Sequence, residues 1–255
     1  MKSELSGKVH RSEKELNYNK ELEKYFDNAC GTTIEKLNEF PKFVPRQTLS
    51  RLLFRYELMK IVLTCHGSIL ELGVRMGGGT MTFANISAIL EPYNYQRMIF
   101  GFDTFEGFVE VTDEDLSTES GRNRAKVGAF KVEGNITSDL ARTVKLFDMN
   151  RPIGHIEKVK FFKGDVTESI PAFLEEHPET VISLLYIDMD LYKPTRDALK
   201  ALISRIPKGG VIAFDELNSN EWPGETRAVM EVLGLNNIKL QRFPFVPGPC
   251  YAILE

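Results

Sequence analysis

Short apolar runs in this chain end repeatedly in acidic residues. "SILELG" (Ser68–Gly73) carries Glu71, "RMIFGFD" ends in Asp103, "KVKFFKGD" in Asp165, "VISLLYID" in Asp188, and "GGVIAFDE" in Asp215 and Glu216. Short apolar runs bounded by turn signals read as buried strands. Between them lie segments with helical spacing: Gly78–Leu90, Ser138–Asn150, Val166–Glu176, a helix opened by Pro194 and running to about Ile206, and Gly224–Leu233. Strands alternating with helices predict an α/β fold with a doubly wound, mainly parallel sheet. In such a sheet ligands bind outside the carboxyl ends of the strands. Every acidic tip named above falls there, and so does Asp190, two residues past Asp188.

The two ends of the chain depart from the alternation. Ile238–Phe243 and Cys250–Leu254 read as strands joined by "PFVPGP", which leaves no room for a helix. They are expected to form a C-terminal antiparallel hairpin and complete a seven-stranded sheet. Residues 1–30 interleave Lys and Glu and read as a solvated helix or a loose arm. From Gln47 to Leu63 the residues Leu49, Leu52, Leu53, Tyr56, Met59, Ile61 and Val62 approach helical spacing, so an amphipathic helix is expected. Residues 1–65 are therefore expected as an N-terminal helical cap and 66–255 as the main domain. Residues 104–136 show little periodicity and read as a long loop of the kind that often serves function.

Composition narrows the classes of function. With 42% apolar and 27% charged residues, the chain can build a sizeable core. A net charge of −4 without a dense Lys/Arg block points to no nucleic-acid partner and no anionic membrane surface. The amino terminus lacks the apolar core of a signal peptide, and no run approaches the ~20 residues of a membrane helix. Cys30, Cys65 and Cys250 are far apart and form no C-x-x-C pair. A reducing, cytoplasmic location is expected, with neither a disulfide framework nor a zinc site.

The first strand runs into "ELGVRMGGGT" (Glu71–Thr80). Gly73, Gly77, Gly78 and Gly79 let a ligand approach the backbone. Strand, glycine turn and helix start together suit a nucleotide-type ligand, and the pattern is not that of a P-loop. Asp103, at the end of the second strand, suits the two hydroxyls of a ribose. Glu71 would repel a pyrophosphate but suits an ammonium group, which favours S-adenosylmethionine over NAD.

Buried carboxylates without compensation are costly, and several converging on one spot raise each other's pKa. A divalent cation relieves both problems. All-oxygen ligation favours Mg²⁺, then Mn²⁺ and Ca²⁺. His10, His66, His155 and His177 are scattered and none is placed to assist.

Together with "GFDTFEGF", "FFKGDV", "LLYIDMDLYKPT" and "GGVIAFDELNSNEWPGETRAV", in this order and spacing, the glycine loop resembles the macrocin-type sugar O-methyltransferases. These are class I, metal-dependent, S-adenosylmethionine-using enzymes of antibiotic and polysaccharide tailoring. The resemblance covers roughly residues 45–255. It implies that Glu71 and Gly73, with Arg75 and Gly77 of the same loop, hold the methionine end of the donor. Asp103 would take the ribose, with Thr104 and Phe105 beside it, and Asp165 would sit near the adenine. Asp188, Asp215 and Glu216 match the metal-binding carboxylates, and Asp190 stands where a general base is expected. Glu216 departs from the pattern, since related enzymes commonly place Asp there, or Asn in the catechol-type relatives. The resemblance further implies a small sugar-containing acceptor and a homo-oligomer, with the apolar helix near residues 49–62 as an interface. Trp222 either stacks on a sugar ring or covers the core. Arg122, Arg124 and Lys126 either meet an acceptor phosphate or are simply solvated. A catechol-like phenol methyltransferase using the same site, and an inactive donor-binding scaffold, are the alternative readings. A related-fold hydroxylase would need His ligands that the pattern does not supply.

Overall fold

A strand with no polar alternation must be covered on both faces. The run ending at Asp188 meets that condition in the computed structural model, which describes residues 13–117 and 125–255. Along the chain the elements are α1 (Glu13–Asn28), α2 (Thr33–Asn38), α3 (Arg46–Val62), β1 (Ser68–Leu72), α4 (Gly78–Leu90), β2 (Ile99–Asp103), α5 (Ile136–Met149), β3 (Val159–Lys163), α6 (Val166–Glu176), β4 (Ile182–Ile187), α7 (Tyr192–Leu202), β5 (Val211–Phe214), α8 (Pro223–Val232) and β6 (Cys250–Ile253). All six residues of β4 are buried. The strands form one sheet in the order β3-β2-β1-β4-β5-β6. Every pairing is parallel except that of β5 with β6. Strand order reverses between the neighbours β1 and β4, and the ligand crevice of an open α/β sheet forms at such a reversal.

Side chains alternate across the sheet. Ile69 and Tyr186 join Phe54, Leu58, Met59 and Val62 of α3 and Phe83 of α4 in one core cluster. Leu70, Phe102, Leu185 and Phe214 join Phe173 of α6, Leu199 of α7 and Val229 of α8 in another. The helix expected over Gln47–Leu63 is present, but its buried face differs from the expected one. Phe54, Arg55, Leu58, Met59 and Val62 are buried, whereas Leu52 and Leu53 are exposed. Apolar residues lie on more than one side of this helix, so spacing alone picks the wrong stripe.

The sheet has six strands among the described residues, not seven. Ile238–Phe243 contributes a single antiparallel bridge, Gln241 to Tyr251. Pro244 ends that run at once, and prolines 247 and 249 remove further backbone donors. The expected hairpin therefore shrinks to one bridge, while β6 takes its main partner in β5. The helix expected from Ser138 begins two residues earlier, because Asn135 is its N-cap and accepts from the Ser138 amide.

The chain divides into two compact units, Met1–Arg51 and Leu52–Glu255. Within the first, Thr32 and Glu35 form a capping box at the start of α2, and Tyr25 stacks on Phe43. Among the described residues no helix is long and apolar enough to cross a membrane.

At the amino end of the sheet Arg97 donates to the carbonyls of Val62, Cys65 and Gly67 and to Ser183 Oγ. It thereby ties the end of α3 to the starts of β1 and β4. Beside it Lys158 is buried and donates to the carbonyl of Asn94. Burial pushes the Lys158 ammonium down to about 8, although Glu91 partly opposes the shift. A lysine with a lowered folded-state pKa binds its proton more weakly in the native state than in the unfolded one. Its contribution to stability therefore rises with pH, from about 8 up to the unfolded value near ~10.4. In denaturant melts between pH 7.5 and 9.5, wild type should gain stability relative to Lys158→Met as pH rises. A difference that stays flat with pH would contradict this.

Candidate active site

The loops that follow β1, β2, β4 and β5 each contain a non-glycine residue in the left-handed region: Arg75 (φ 52), Phe105 (φ 56), Asp190 (φ 63) and Asn218 (φ 63). Such conformations cost roughly 1–3 kcal/mol each and persist only where the surroundings enforce them. Here the enforcing contacts are visible. Asp103 Oδ2 accepts from the Arg75 amide at 2.7 Å, and its Oδ1 accepts from the Phe105 amide at 2.6 Å. One carboxylate thus pins the strained residues of two neighbouring loops. An ionised carboxylate offers about four lone-pair positions, so Asp103 keeps capacity for further donors. The Asn218 amide donates to Thr226 Oγ1. The Leu191 amide donates to the Met189 carbonyl, closing a three-residue turn around Asp190.

In the glycine loop the backbone comes close to the end of β4. Gly73 has φ +90, and a Cβ there would overlap the carbonyl oxygen of Asp188 and lie 2.6 Å from its carbon. Gly77 is the left-handed N-cap of α4. A Cβ on Gly79 would overlap the Glu71 carboxylate and lie 2.6 Å from Arg55 Nη2. Glu71 itself is turned inward at 1% exposure. Its Oε1 accepts from Arg55 Nη2 at 3.0 Å and its Oε2 from Thr80 Oγ1. Glu71 therefore fixes the loop from beneath, with both of its carboxylate oxygens engaged.

Other residues expected at the donor site are also engaged locally. Thr104 Oγ1 donates to the Gly107 carbonyl within its own turn. Phe105 is buried in a small cluster with Val74, Ile136 and Leu140. Asp165 is the N-cap of α6 and accepts from the Thr167 amide. It borders a cavity of about 330 Å³ lined by Phe162, Ser169 and Phe173 among others. The guanidinium of Arg75 stands 5.7 Å from the centre of the Phe130 ring.

Strand register brings the acidic tips together. Ile187 pairs with Phe214, so Asp188 and Asp215 leave adjacent strands side by side. The Asp188 amide donates to Leu72 and the Asp215 amide to Ile187, which locks both strand ends. Asp215 is 2% exposed, and Tyr186 Oη donates to its Oδ1 at 2.7 Å. Asp188, Asp190 and Glu216 are half-buried. Glu225, at the start of α8, has no solvent exposure. Its Oε1 accepts from the Glu216 amide at 3.1 Å, and its Oε2 has no hydrogen-bond partner. Burial holds the Glu225 carboxyl well above its ordinary value, and Asp215, Asp190 and Asp188 push it the same way. Among the described residues, no group of three or more His, Cys, Asp or Glu side chains is placed to hold a metal ion.

Described parts of the long loop are tied to the starts of α7 and α8. Asp115 is buried and accepts from the Tyr192 amide at 2.6 Å, capping α7 from outside, where the helix's own N-cap, Leu191, offers no side-chain oxygen. Arg227 Nη1 donates to the Glu114 carbonyl. Trp222, 3% exposed, packs against Phe108 and Phe130 at 5.8 Å between ring centres. It closes the loop onto the start of α8, so covering the core is its role in this structure. Lys126 is exposed, and Arg122 and Arg124 lie outside the described residues.

Comparison with known proteins places this arrangement. Residues 51–240 match the family model for macrocin-O-methyltransferase (TylF). The chain belongs to the macrocin-O-methyltransferase family. Among solved structures of similar proteins, that of the calicheamicin methyltransferase CalS11 superposes with a TM-score of 0.91 at 37% identity. The alignment covers 99% of this chain and 97% of that one. An apo structure described as CalS11, a TDP-rhamnose 3'-O-methyltransferase of calicheamicin biosynthesis, gives 0.83 at 34% identity over 98% of each chain. Mycinamicin III 3''-O-methyltransferase of Micromonospora griseorubida is 26% identical over 151 residues, 59% of this chain and 55% of the relative. The matched region thus spans about half the length of such curated relatives.

For a macrocin-type methyltransferase, the sequence left several residues of this end of the sheet unread. Arg55 is one of two charges, with Glu57, in the α3 stretch "LLFRYELM", and nothing in that pattern tells the buried one from the other. Tyr186 looks like one more apolar residue of β4 until its hydroxyl is found on Asp215. Glu225 and Asp115 sit in polar segments where one carboxylate looks like the next.

Proposed function

We propose that this chain transfers the methyl group of S-adenosylmethionine to a hydroxyl of a sugar, with a nucleotide-linked or otherwise attached deoxysugar as acceptor. A divalent cation, Mg²⁺ or Mn²⁺, assists. The observation that carries this reading is the placement of Asp188 beside Asp215 at the strand-order reversal, one strand from the glycine loop. Family membership and the sugar-modifying activities of the relatives support it.

The donor fits the loops after β1 and β2. Gly73 and Gly79 let the loop pack closely on the end of β4 and on the Glu71–Arg55 pair, and Asp103 retains lone pairs for two ribose hydroxyls. Glu71 acts indirectly, by holding the loop. Asp188, Asp215 and Glu216 supply the hard oxygen donors that a Mg²⁺-type ion prefers. Burial and the neighbouring Asp215, Asp190 and Asp188 all hold the Glu225 carboxyl up, which marks this corner as one where negative charge accumulates. When bound, the ion lowers the cost of placing negative charge on the reacting sugar oxygen. Asp190 accepts the proton that this hydroxyl releases.

Melting of the purified protein with S-adenosylhomocysteine, with Mg²⁺, with both and with EDTA tests this reading. Ligands that bind the native state raise the midpoint by mass action. The expected result is a shift with the nucleoside that grows when Mg²⁺ is added. No shift with the nucleoside would overturn the donor assignment. A shift equally large in EDTA would overturn the cation's part in it.

A further inference from the structure

A continuous buried path joins the glycine loop to the carboxylate end of the site, and Arg55 stands in its middle. On one side its Nη2 donates to Glu71, whose other oxygen takes the Thr80 hydroxyl. On the other side its guanidinium carbon lies 4.5 Å from the centre of the Tyr186 ring, with Phe83 at 5.6 Å. Tyr186 then donates its hydroxyl to Asp215. Register makes this possible: Glu71 pairs with Tyr186 across β1 and β4, so both side chains rise on the face that α3 covers.

The chemistry of the path is specific. A guanidinium is planar, stays charged and stacks on aromatic faces, which an ammonium does not reproduce. Arg55 is 7% exposed and its Nε has no partner, so it is not placed there to satisfy its own hydrogen bonds. Burial works against its charge, but Tyr186, Glu71 and Asp188 outweigh burial and hold it firmly ionised. One fixed positive charge therefore faces Glu71 of the donor loop and Asp188 at the end of the neighbouring strand. Gly79 leaves the space this pair occupies.

We propose that Arg55 is a positioning residue that couples the donor loop to Asp215 through Glu71 and Tyr186, so that donor binding and cation binding strengthen each other. The inference rests on the donor and cation reading above. Coupling of this kind is worth about 5- to 150-fold in affinity, and it is reciprocal between the two ligands.

The test measures Mn²⁺ affinity from the electron paramagnetic resonance of free Mn²⁺, with and without saturating S-adenosylhomocysteine. Tyr186→Phe keeps the ring beneath the guanidinium and removes only the link to Asp215. The pair Arg55→Met with Glu71→Gln removes both charges together and leaves no orphaned ion, which protects folding. Arg55→Lys keeps the charge and loses the stacked plane. In wild type the nucleoside should raise Mn²⁺ affinity at least about fivefold. In Tyr186→Phe and in the double variant the factor should fall to about one, with the nucleoside still bound in each, and Arg55→Lys should not restore it. An unchanged factor in Tyr186→Phe, or a wild-type factor of one with both ligands bound, overturns the link and leaves the methyltransferase reading standing. Failure of wild type to bind either ligand overturns that reading, and the link with it.

Discussion

Gly73→Ala is expected to destabilise the protein by about 3 kcal/mol or more, the sum of overpacking and a left-handed backbone. The new Cβ would strike the Asp188 carbonyl, and that obstacle is backbone. It cannot step aside, because the amides of Gly73 and Asp188 are bonded to Phe102 and Leu72. Any relief must move the end of β4 and with it Asp188. Nucleoside and cation binding should therefore fall together with stability. Gly78→Ala, five residues on, is the control. A Cβ there meets nothing within 4 Å, so stability should stay unchanged or rise by up to about 1 kcal/mol. Denaturant melts and S-adenosylhomocysteine titrations on both variants read the contrast. Equal stability of Gly73→Ala and wild type would show that the β1–β4 junction is looser than described.

Asp190→Asn is expected to lower turnover by about 10²- to 10⁴-fold, the usual contribution of a positioned general base. S-adenosylhomocysteine affinity should change little, since the proposed base serves the acceptor and not the donor. The substitution is well suited to the question. Asn tolerates the left-handed backbone that residue 190 adopts (φ 63), so the turn between β4 and α7 is preserved. Loss of rate then reports chemistry and not a collapsed turn. The N-cap of α7 is Leu191, and Asp115 accepts from the first helical amide, so Asp190 is not needed as a side-chain cap. Wild-type turnover in the variant would remove Asp190 as the base.

Much of this site was legible because strands carry their own direction. A buried apolar run that ends in a carboxylate fixes which end of the sheet holds the charge, and Asp103, Asp188 and Asp215 all lie where that rule puts them. The seventh strand was not legible, since "IKLQRF" has strand-like composition and only Pro244 limits it to one bridge. The inward turn of Glu71 depended on a partner sixteen residues away, on a helix whose buried face the spacing misassigned. Nor does an N-cap look different in sequence from a ligand contact, so the local role of Asp165 at the start of α6 was not legible. Long-range polar pairs such as Arg55 with Glu71, or Tyr186 with Asp215, leave no local period to detect. They become visible only once strand register sets both side chains on one face.

The most direct measurement is methyl transfer from labelled S-adenosylmethionine to a nucleotide-linked deoxysugar, followed by mass spectrometry, with catechol as a parallel acceptor and Mg²⁺ exchanged for EDTA. The expected result is a singly O-methylated sugar nucleotide, formed at least about a hundredfold faster with Mg²⁺ than in EDTA, as several kcal/mol of charge stabilisation requires. Methylation of catechol in preference to the sugar, or a sugar product formed equally fast in EDTA, would contradict the proposed metal-assisted sugar O-methylation.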